Sequence, residues 1–566
     1  MKTGTRLLLA ALLAGSTSAI MAHRPEPEAK PDITPKVAST PREGDSRVFL
    51  DHADVLYKQQ NDSFMIVSGN VQFTKGPMVM KCDSAHFFPA TESFDAFGHV
   101  FMEQGDTLFI YADELNYRAP ERMAYLYADP GKKVRMINRD VTLETDEFTY
   151  DMGIEIGYYT TGGVLYDQQN RLVSREGEYI PSTKDANFYI DVNLTSLGKS
   201  DTLVIYSDSL FYNTATHIAK LNSPSEIINK RGVIYTTDGL YDTDLDTAAL
   251  YMRSLVHSPE GRDLIADTIY YDRVSGIGEC FGNMVMTDSA RQAALNADYG
   301  FFNQATDSAY ATGHLLIKEY SKGDTLYLHG GQLNAYRVLD SIHIPAVPAD
   351  TVAGTPEIPA SFRIDTTNVA DIWPRVRFFR SDMQGVCDSM RATRSDTTLR
   401  MYRKPVVWSE QRQIFGNLIE LHMNDSTIDR ARLPEYGFTS QRIYGDYYDQ
   451  LAGKEMVASF VNGELRQLDI NGNVELIMYP EEADSTINKM VTAQSSFMKA
   501  IFAGQTTELI KMWPETSGTA TPLFLVRRSM LYLPKFKLFN GIRPLSPSDI
   551  MVVPKAMDEL MDGTDG

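Results

Sequence analysis

Apolar and polar positions alternate along this chain with the period of a β-strand, and the pattern itself recurs about every 30 residues. In Asp113-Glu-Leu-Asn-Tyr117, the acid, the leucine and the tyrosine share one face of a strand, with Glu114 and Asn116 on the other. A helix would send Leu115 to the opposite side. The same arrangement appears in Asp146/Phe148/Tyr150, Asp208/Leu210/Tyr212 and Asp267/Ile269/Tyr271. The anchoring acids are Asp83, Asp113, Asp146, Asp208, Asp238, Asp267 and Asp298, with the degenerate Gly177-Glu178-Tyr179 in the gap. Successive anchors lie 30, 33, 31, 31, 30, 29 and 31 residues apart. A fixed period of this size predicts one supersecondary unit stacked many times.

Two further signatures alternate with the anchors. Gly-Asn or Gly-His precedes an apolar strand at Gly69-Asn70, Gly98-His99, Gly282-Asn283, Gly313-His314, Gly416-Asn417 and Gly472-Asn473. Both residue types tolerate positive φ, so the motif predicts a turn or bulge that launches a strand. A turn ending in Asp-Thr-Leu recurs at 105–108, 200–203 and 323–326. After each launch, one strand phase is apolar: Val71/Phe73, Val100/Met102, Met284/Met286 and Leu315/Ile317, with Leu108/Ile110 and Leu203/Ile205 on preceding strands. These twelve residues are the candidate interior. They read equally as a filled solenoid core or as a groove that shields lipid chains, since both demand the same side chains.

The segments follow from changes in pattern. Lys2 and Arg6, the apolar run Leu7–Leu13 and the small residues after it predict a signal peptide over 1–22. Residues 23–46 are rich in Pro, Glu and Lys and predict a flexible leader. Repeats occupy 47–338. A Pro-punctuated stretch, 339–372, predicts a linker or insertion. A second β-rich block covers 373–545 and holds all three tryptophans, and 546–566 is an acidic tail.

Composition narrows function mainly by exclusion. The chain has 566 residues and a net charge of −20; loss of Lys2 and Arg6 with the signal peptide leaves −22. That balance argues against nucleic acid. No run of about 18 apolar residues is present to form a membrane helix. Gly198-Lys199-Ser200 lacks the glycine of a phosphate loop, having Asn193 in its place. Asp242-Thr-Asp-Leu-Asp246 lacks the glycine and final glutamate of a calcium loop. The ten histidines show no metal-binding spacing. No cofactor is expected. The anchor acids recur in every repeat, which fits a structural role, whereas an enzyme needs one site. Cys82, Cys280 and Cys387 fit buried strand positions, and sequence pairs none of them.

Val67-Ser-Gly-Asn-Val71, Gly98-His-Val100 and the repeated Asp-x-Leu-x-Tyr units after a signal peptide resemble the OstA-like family. These are periplasmic β-jellyroll modules of lipopolysaccharide transport, of the LptA type and of the N-terminal part of the outer-membrane translocon. The long form, with Trp373-Pro-Arg-Val-Arg, Pro405-Val-Val-Trp408 and Trp513-Pro, resembles OstA-like proteins of Bacteroidetes-type bacteria. The resemblance implies an all-β, elongated jellyroll of stacked antiparallel strands in two blocks. It implies a non-enzymatic periplasmic protein, with association with the outer membrane as a further option, that carries lipid A acyl chains inside and joins partner jellyrolls or the translocon by edge-strand augmentation. Two rivals remain at this point: a packed envelope scaffold with no lipid path, and a β-helical polysaccharide-degrading enzyme.

Overall fold

The computed structural model describes residues 47–58, 63–196, 202–320, 323–344, 361–424, 428–462, 464–482, 484–504 and 506–562. The expected signal peptide and leader lie outside the described residues. So do Ser200 and Asp201 of one Asp-Thr-Leu turn and positions 345–360 of the expected linker. The described chain is almost wholly antiparallel β-structure, with four short 3-10 turns after residue 522 and one α-helix, Lys555–Asp562, near its end. It divides into two compact units. One holds the described residues up to Pro259 together with Asp267–Val274. The other holds Glu260–Ala266 and the described residues from Ser275 onward.

The N-terminal unit begins with long strands that pair in sequence: Met65–Lys75, Met78–Phe88, Ser93–Gln104 and Leu108–Arg118. Each pairing slips register in mid-strand, between Ser68 and Val71, Lys81 and Ser84, and Phe97 and Val100. There Asn70 and His99 adopt φ of 49° and 43° beside Gly69 and Gly98 at 80° and 75°. Such a bulge bends a strand sharply, so the two halves of each strand enter different sheets. After Leu108–Arg118 the halves part. Residues 114–118 pair with Met123–Tyr127, and 108–111 pair with Val134–Asn138. The first sheet continues through Glu147–Asp151, Ile156–Tyr159 and Glu176–Ile180. The second continues through Val141–Thr145, Gly163–Tyr166 and Asn170–Ser174. They rejoin in the bent strand Asp185–Ser196, whose bulge lies at Ile190 and Asp191. Two sheets thus meet along a corner and diverge toward two lips made of hairpin turns, with apolar side chains between them.

The 30-residue period is one circuit of this section. The chain passes the corner once at the anchor acid and once at Gly-Asn or Gly-His. The motif is therefore mostly a bulge inside a continuous strand, not the start of one. At Gly313-His314 and Gly416-Asn417 it is instead a break, between Ser308–Thr312 and Leu316–Glu319 and between Arg412–Gly416 and Leu418–Met423. Gly177 replaces an anchor acid because a Cβ there would sit 2.5 Å from the Tyr159 ring and hydroxyl.

The C-terminal unit repeats the plan from the bulged strands Ile277–Asp288 and Ala293–Asn303 to the bulged strands Glu464–Met478 and Lys489–Ala503. Gln332–Ile344 and Ser361–Trp373 pair throughout, so both flanks of the expected linker are strand. Their neighbours contact only 332–335 and 369–372, leaving the rest as a two-stranded ribbon. The chain then runs back over the outer face of the second sheet. Buried glutamines there hold its backbone. Gln450 Nε2 donates to the Leu531 carbonyl (2.7 Å) and its Oε1 accepts from Leu533 N (2.8 Å). Gln413 does the same with Lys537 O and Phe539 N, both at 2.8 Å. Arg543 Nε donates to Gln384 Oε1 (2.9 Å), and Arg377 donates to the carbonyls of Ile542 and Asp549. Met557 of the terminal helix packs with Ile542, Val386, Val406 and Trp408. This strap spans 523–562 and buries apolar surface that the second sheet would otherwise expose.

Candidate functional site

The anchor acids take bonds from the neighbouring passage of the corner. Asp83 and Asp298 meet His99 and His314 Nδ1 at 2.7 and 2.6 Å, and Asp54, 29 residues before the first anchor Asp83, accepts likewise from Asn70 Nδ2 at 2.9 Å. Asp113 accepts from Asp129 N and Lys132 Nζ, at 2.9 and 2.6 Å. Each of these pairs fixes one turn of the corner; these acids are splints.

The aromatic four residues after the anchor does something different. It lies on the first sheet, points inward and stands near the lip. In the N-terminal unit its hydroxyl reaches the opposite lip. Lys75 Nζ donates to the Tyr117 hydroxyl. Tyr150 donates to Gln104 Oε1 (2.8 Å), Asn138 Nδ2 donates to Tyr179 (3.3 Å), and Arg231 Nη1 donates to Tyr271 (2.8 Å). Tyr212 donates to Asp167 (2.5 Å) and accepts from Asn170 Nδ2 (2.8 Å). Burial pushes the Tyr117 phenol up to about 12, so this hydroxyl stays neutral as it accepts from Lys75. The mouth of this unit is latched at these five rungs; Phe87 has no hydroxyl, and Tyr241, three after Asp238, donates to Asp246 in the adjoining hairpin of its own sheet.

In the C-terminal unit Phe302 still stands four residues after Asp298, but farther along the corresponding places carry small or aliphatic residues. Ala392 lies four after Asp388, Leu421 four after Asn417 and Ala458 four after Lys454. None can span to the far lip, and all three line a cavity of about 2050 Å³ between the sheets. Its walls are apolar: Ile372, Met390, Leu399, Ile419 and Met456 from the first sheet, and Leu328, Phe378, Val407 and Ile414 from the second. Charge is confined to the lips, where the side chains bond along their own lip. Arg291 Nη1 lies 2.6 Å from Asp288, Arg380 Nη2 lies 3.0 Å from Asp382, and Ser381 N donates to Asp324 at 3.0 Å. Asp449 is the exception on the wall. Burial raises its pKa to about 6, against the opposing pull of Tyr479 N and Arg412.

All twelve candidate interior residues are buried between sheets, none more than 8% exposed. Val71, Phe73, Val100, Met102, Leu108, Ile110, Leu203 and Ile205 belong to the latched unit. Met284, Met286, Leu315 and Ile317 belong to the C-terminal unit, and of these Ile317 lines the cavity. The sequence reading missed the other wall residues. One signal was available: an anchor acid, Asp388, followed four residues on by alanine instead of an aromatic. Cys82, Cys280 and Cys387 are unpaired and buried, and burial raises the thiols of Cys82 and Cys280 to about 12. That makes them poor nucleophiles. Among the described residues no group of three or more His, Cys, Asp or Glu is placed to hold a metal ion. No described helix is long and apolar enough to cross a membrane.

A two-sheet antiparallel array with an apolar interior and bulged corners is a β-jellyroll of the repetitive, stacked kind. Residues 45–199 match the family of OstA-like proteins. No curated protein matches the chain.

Proposed function

We propose that the protein is a non-enzymatic lipopolysaccharide transport and assembly protein of the periplasm, shielding lipid acyl chains in its jellyroll interior and bridging envelope partners. The observation that carries this reading is the apolar cavity of the C-terminal unit, about 2050 Å³ with charged lips. It exceeds the roughly 300–1,000 Å³ of ordinary small-molecule sites, which suits a lipid with several acyl chains. Each methylene moved from water is worth about 0.8 kcal/mol. A chain of a dozen therefore loses roughly 10 kcal/mol when it crosses water unshielded. Sugars and phosphates would stay at the charged lips. Val55–Tyr57 pairs with Met65–Lys75 and leaves Val55, Leu56 and Tyr57 exposed, an edge suited to strand addition by a partner jellyroll.

The test is binding of purified lipopolysaccharide to the full chain, followed by native mass spectrometry. Leu399→Asp, on the cavity wall, is expected to abolish the complex with the fold intact by circular dichroism. Glu410→Ala, on the lip, is expected to leave it unchanged. Equal binding by both variants and the parent would count against a lipid-filled cavity.

A further inference from the structure

The place four residues after the corner anchor differs between the latched rungs of the N-terminal unit and the cavity rungs of the C-terminal unit, whereas Phe87 and Phe302, at the start of each unit's array, are alike. In the N-terminal unit Tyr117, Tyr150, Tyr179, Tyr212 and Tyr271 fill it, and each bonds to a residue of the far lip. At the cavity rungs of the C-terminal unit, beyond Phe302, Ala392, Leu421 and Ala458 occupy it and border open space. The strand phase, the corner and the hairpin lips are otherwise the same. Side-chain size at this single place, together with a hydroxyl able to reach across, therefore distinguishes a shut rung from an open one.

We propose that this position is the gate that sets which rungs of the jellyroll admit lipid. A tyrosine closes its rung as a latch between the lips. Alanine or leucine leaves the rung open to an acyl chain. It follows that lipid loads into the C-terminal unit, while the latched N-terminal unit holds its shape without lipid. The inference rests on the reading under Proposed function and deepens it, because it names the residues that determine where the ligand enters. The physical basis is packing. An interior has few voids larger than a water molecule, and a ring added to the 392, 421 or 458 place would take up space otherwise left for the chain.

The test uses the full chain and purified lipopolysaccharide. Ala392→Tyr, Leu421→Tyr and Ala458→Tyr are made singly, with Ala392→Ser as a control for substitution without bulk. Each tyrosine variant is expected to weaken lipopolysaccharide binding at least roughly tenfold, and Ala392→Ser to bind as the parent does. A graded series at 392, from alanine through valine and leucine to tyrosine, should lower affinity in order of volume. If one tyrosine variant fails to fold, the graded series and the other two sites decide. Parent-like binding by folded tyrosine variants would overturn the gate and leave the lipid reading standing. No binding by the parent would overturn the lipid reading itself.

Discussion

Tyr212→Phe tests the latch at its most demanding rung. The hydroxyl of Tyr212 donates to Asp167 Oδ2 (2.5 Å), accepts from Asn170 Nδ2 (2.8 Å) and stands 3.1 Å from His217 Nδ1. The Asp167 side chain is only 2% exposed. Its Oδ1 is held by the backbone amides of Gln169 and Asn170, at 2.7 and 2.5 Å. Without the phenol, Oδ2 keeps only distant neighbours: Asn170 Nδ2 at 3.5 Å and His217 Nδ1 at 3.4 Å. A bond to a carboxylate contributes about 1.5–3 kcal/mol and a neutral one about 1. Losing both should cost about 3 kcal/mol. Tyr150→Phe loses a single neutral bond to Gln104 and should cost about 1 kcal/mol. A melting temperature would blur the comparison, since two units need not unfold together. Native-state hydrogen exchange reads local opening instead. Amides of Ile218–Leu221 and Asp238–Asp242, beside the Tyr212 rung, should exchange roughly 150-fold faster in Tyr212→Phe. Those around the Tyr150 rung should exchange about fivefold faster in Tyr150→Phe. Equal effects, or a change below about twofold at Tyr212, would refute the latch as a source of local stability.

Three further outcomes are expected. Gly98→Ala places a Cβ 2.4 Å from Asp83 Oδ2 at φ +75°, so it should cost about 2 kcal/mol or more and free His99; unchanged exchange across Met78–Gln104 would contradict this. Gln413→Ala removes the partners of Lys537 O and Phe539 N, worth about 1 kcal/mol each. Limited proteolysis within 523–545 should accelerate severalfold, and equal cleavage rates would show that the strap is held otherwise. Asp449 has a folded pKa of about 6, above its ordinary value of 3.8. The folded state thus binds its proton more tightly, and this contribution to stability is lost as pH rises from about 4 through 6. Asp449→Asn should flatten that part of the stability-against-pH curve, measured by urea unfolding monitored in the C-terminal unit; an unchanged curve would place the titration elsewhere.

The fold was legible because its grammar is local. Alternation identified the inward phase of every candidate strand, and Asp83 with Gly98-His99 marked the corner 15 residues apart. The sheet split was not legible, because a bulged strand and two short strands have the same alternation. The cavity escaped for a related reason. Ala392, Leu421 and Ala458 are apolar like the tyrosine ring, so a binary pattern treats a filled rung and an empty one alike. The glutamine-held strap had no local signal at all, since Gln413 and Phe539 lie 126 residues apart. A polar residue on a strand reads as solvent-facing until its distant partner is known. Asp388 followed by Ala392 was the sole local clue that the second block departs from the first.

The most direct test of a lipid-filled C-terminal cavity is photocrosslinking in cells at two adjacent residues of one strand. Ile428 lines the cavity, and Asp429 is exposed on the opposite side. A photoreactive residue at 428 should yield a lipopolysaccharide adduct, and one at 429 should not. An adduct at 429 alone, or none at either place in folded and exported protein, would contradict the account.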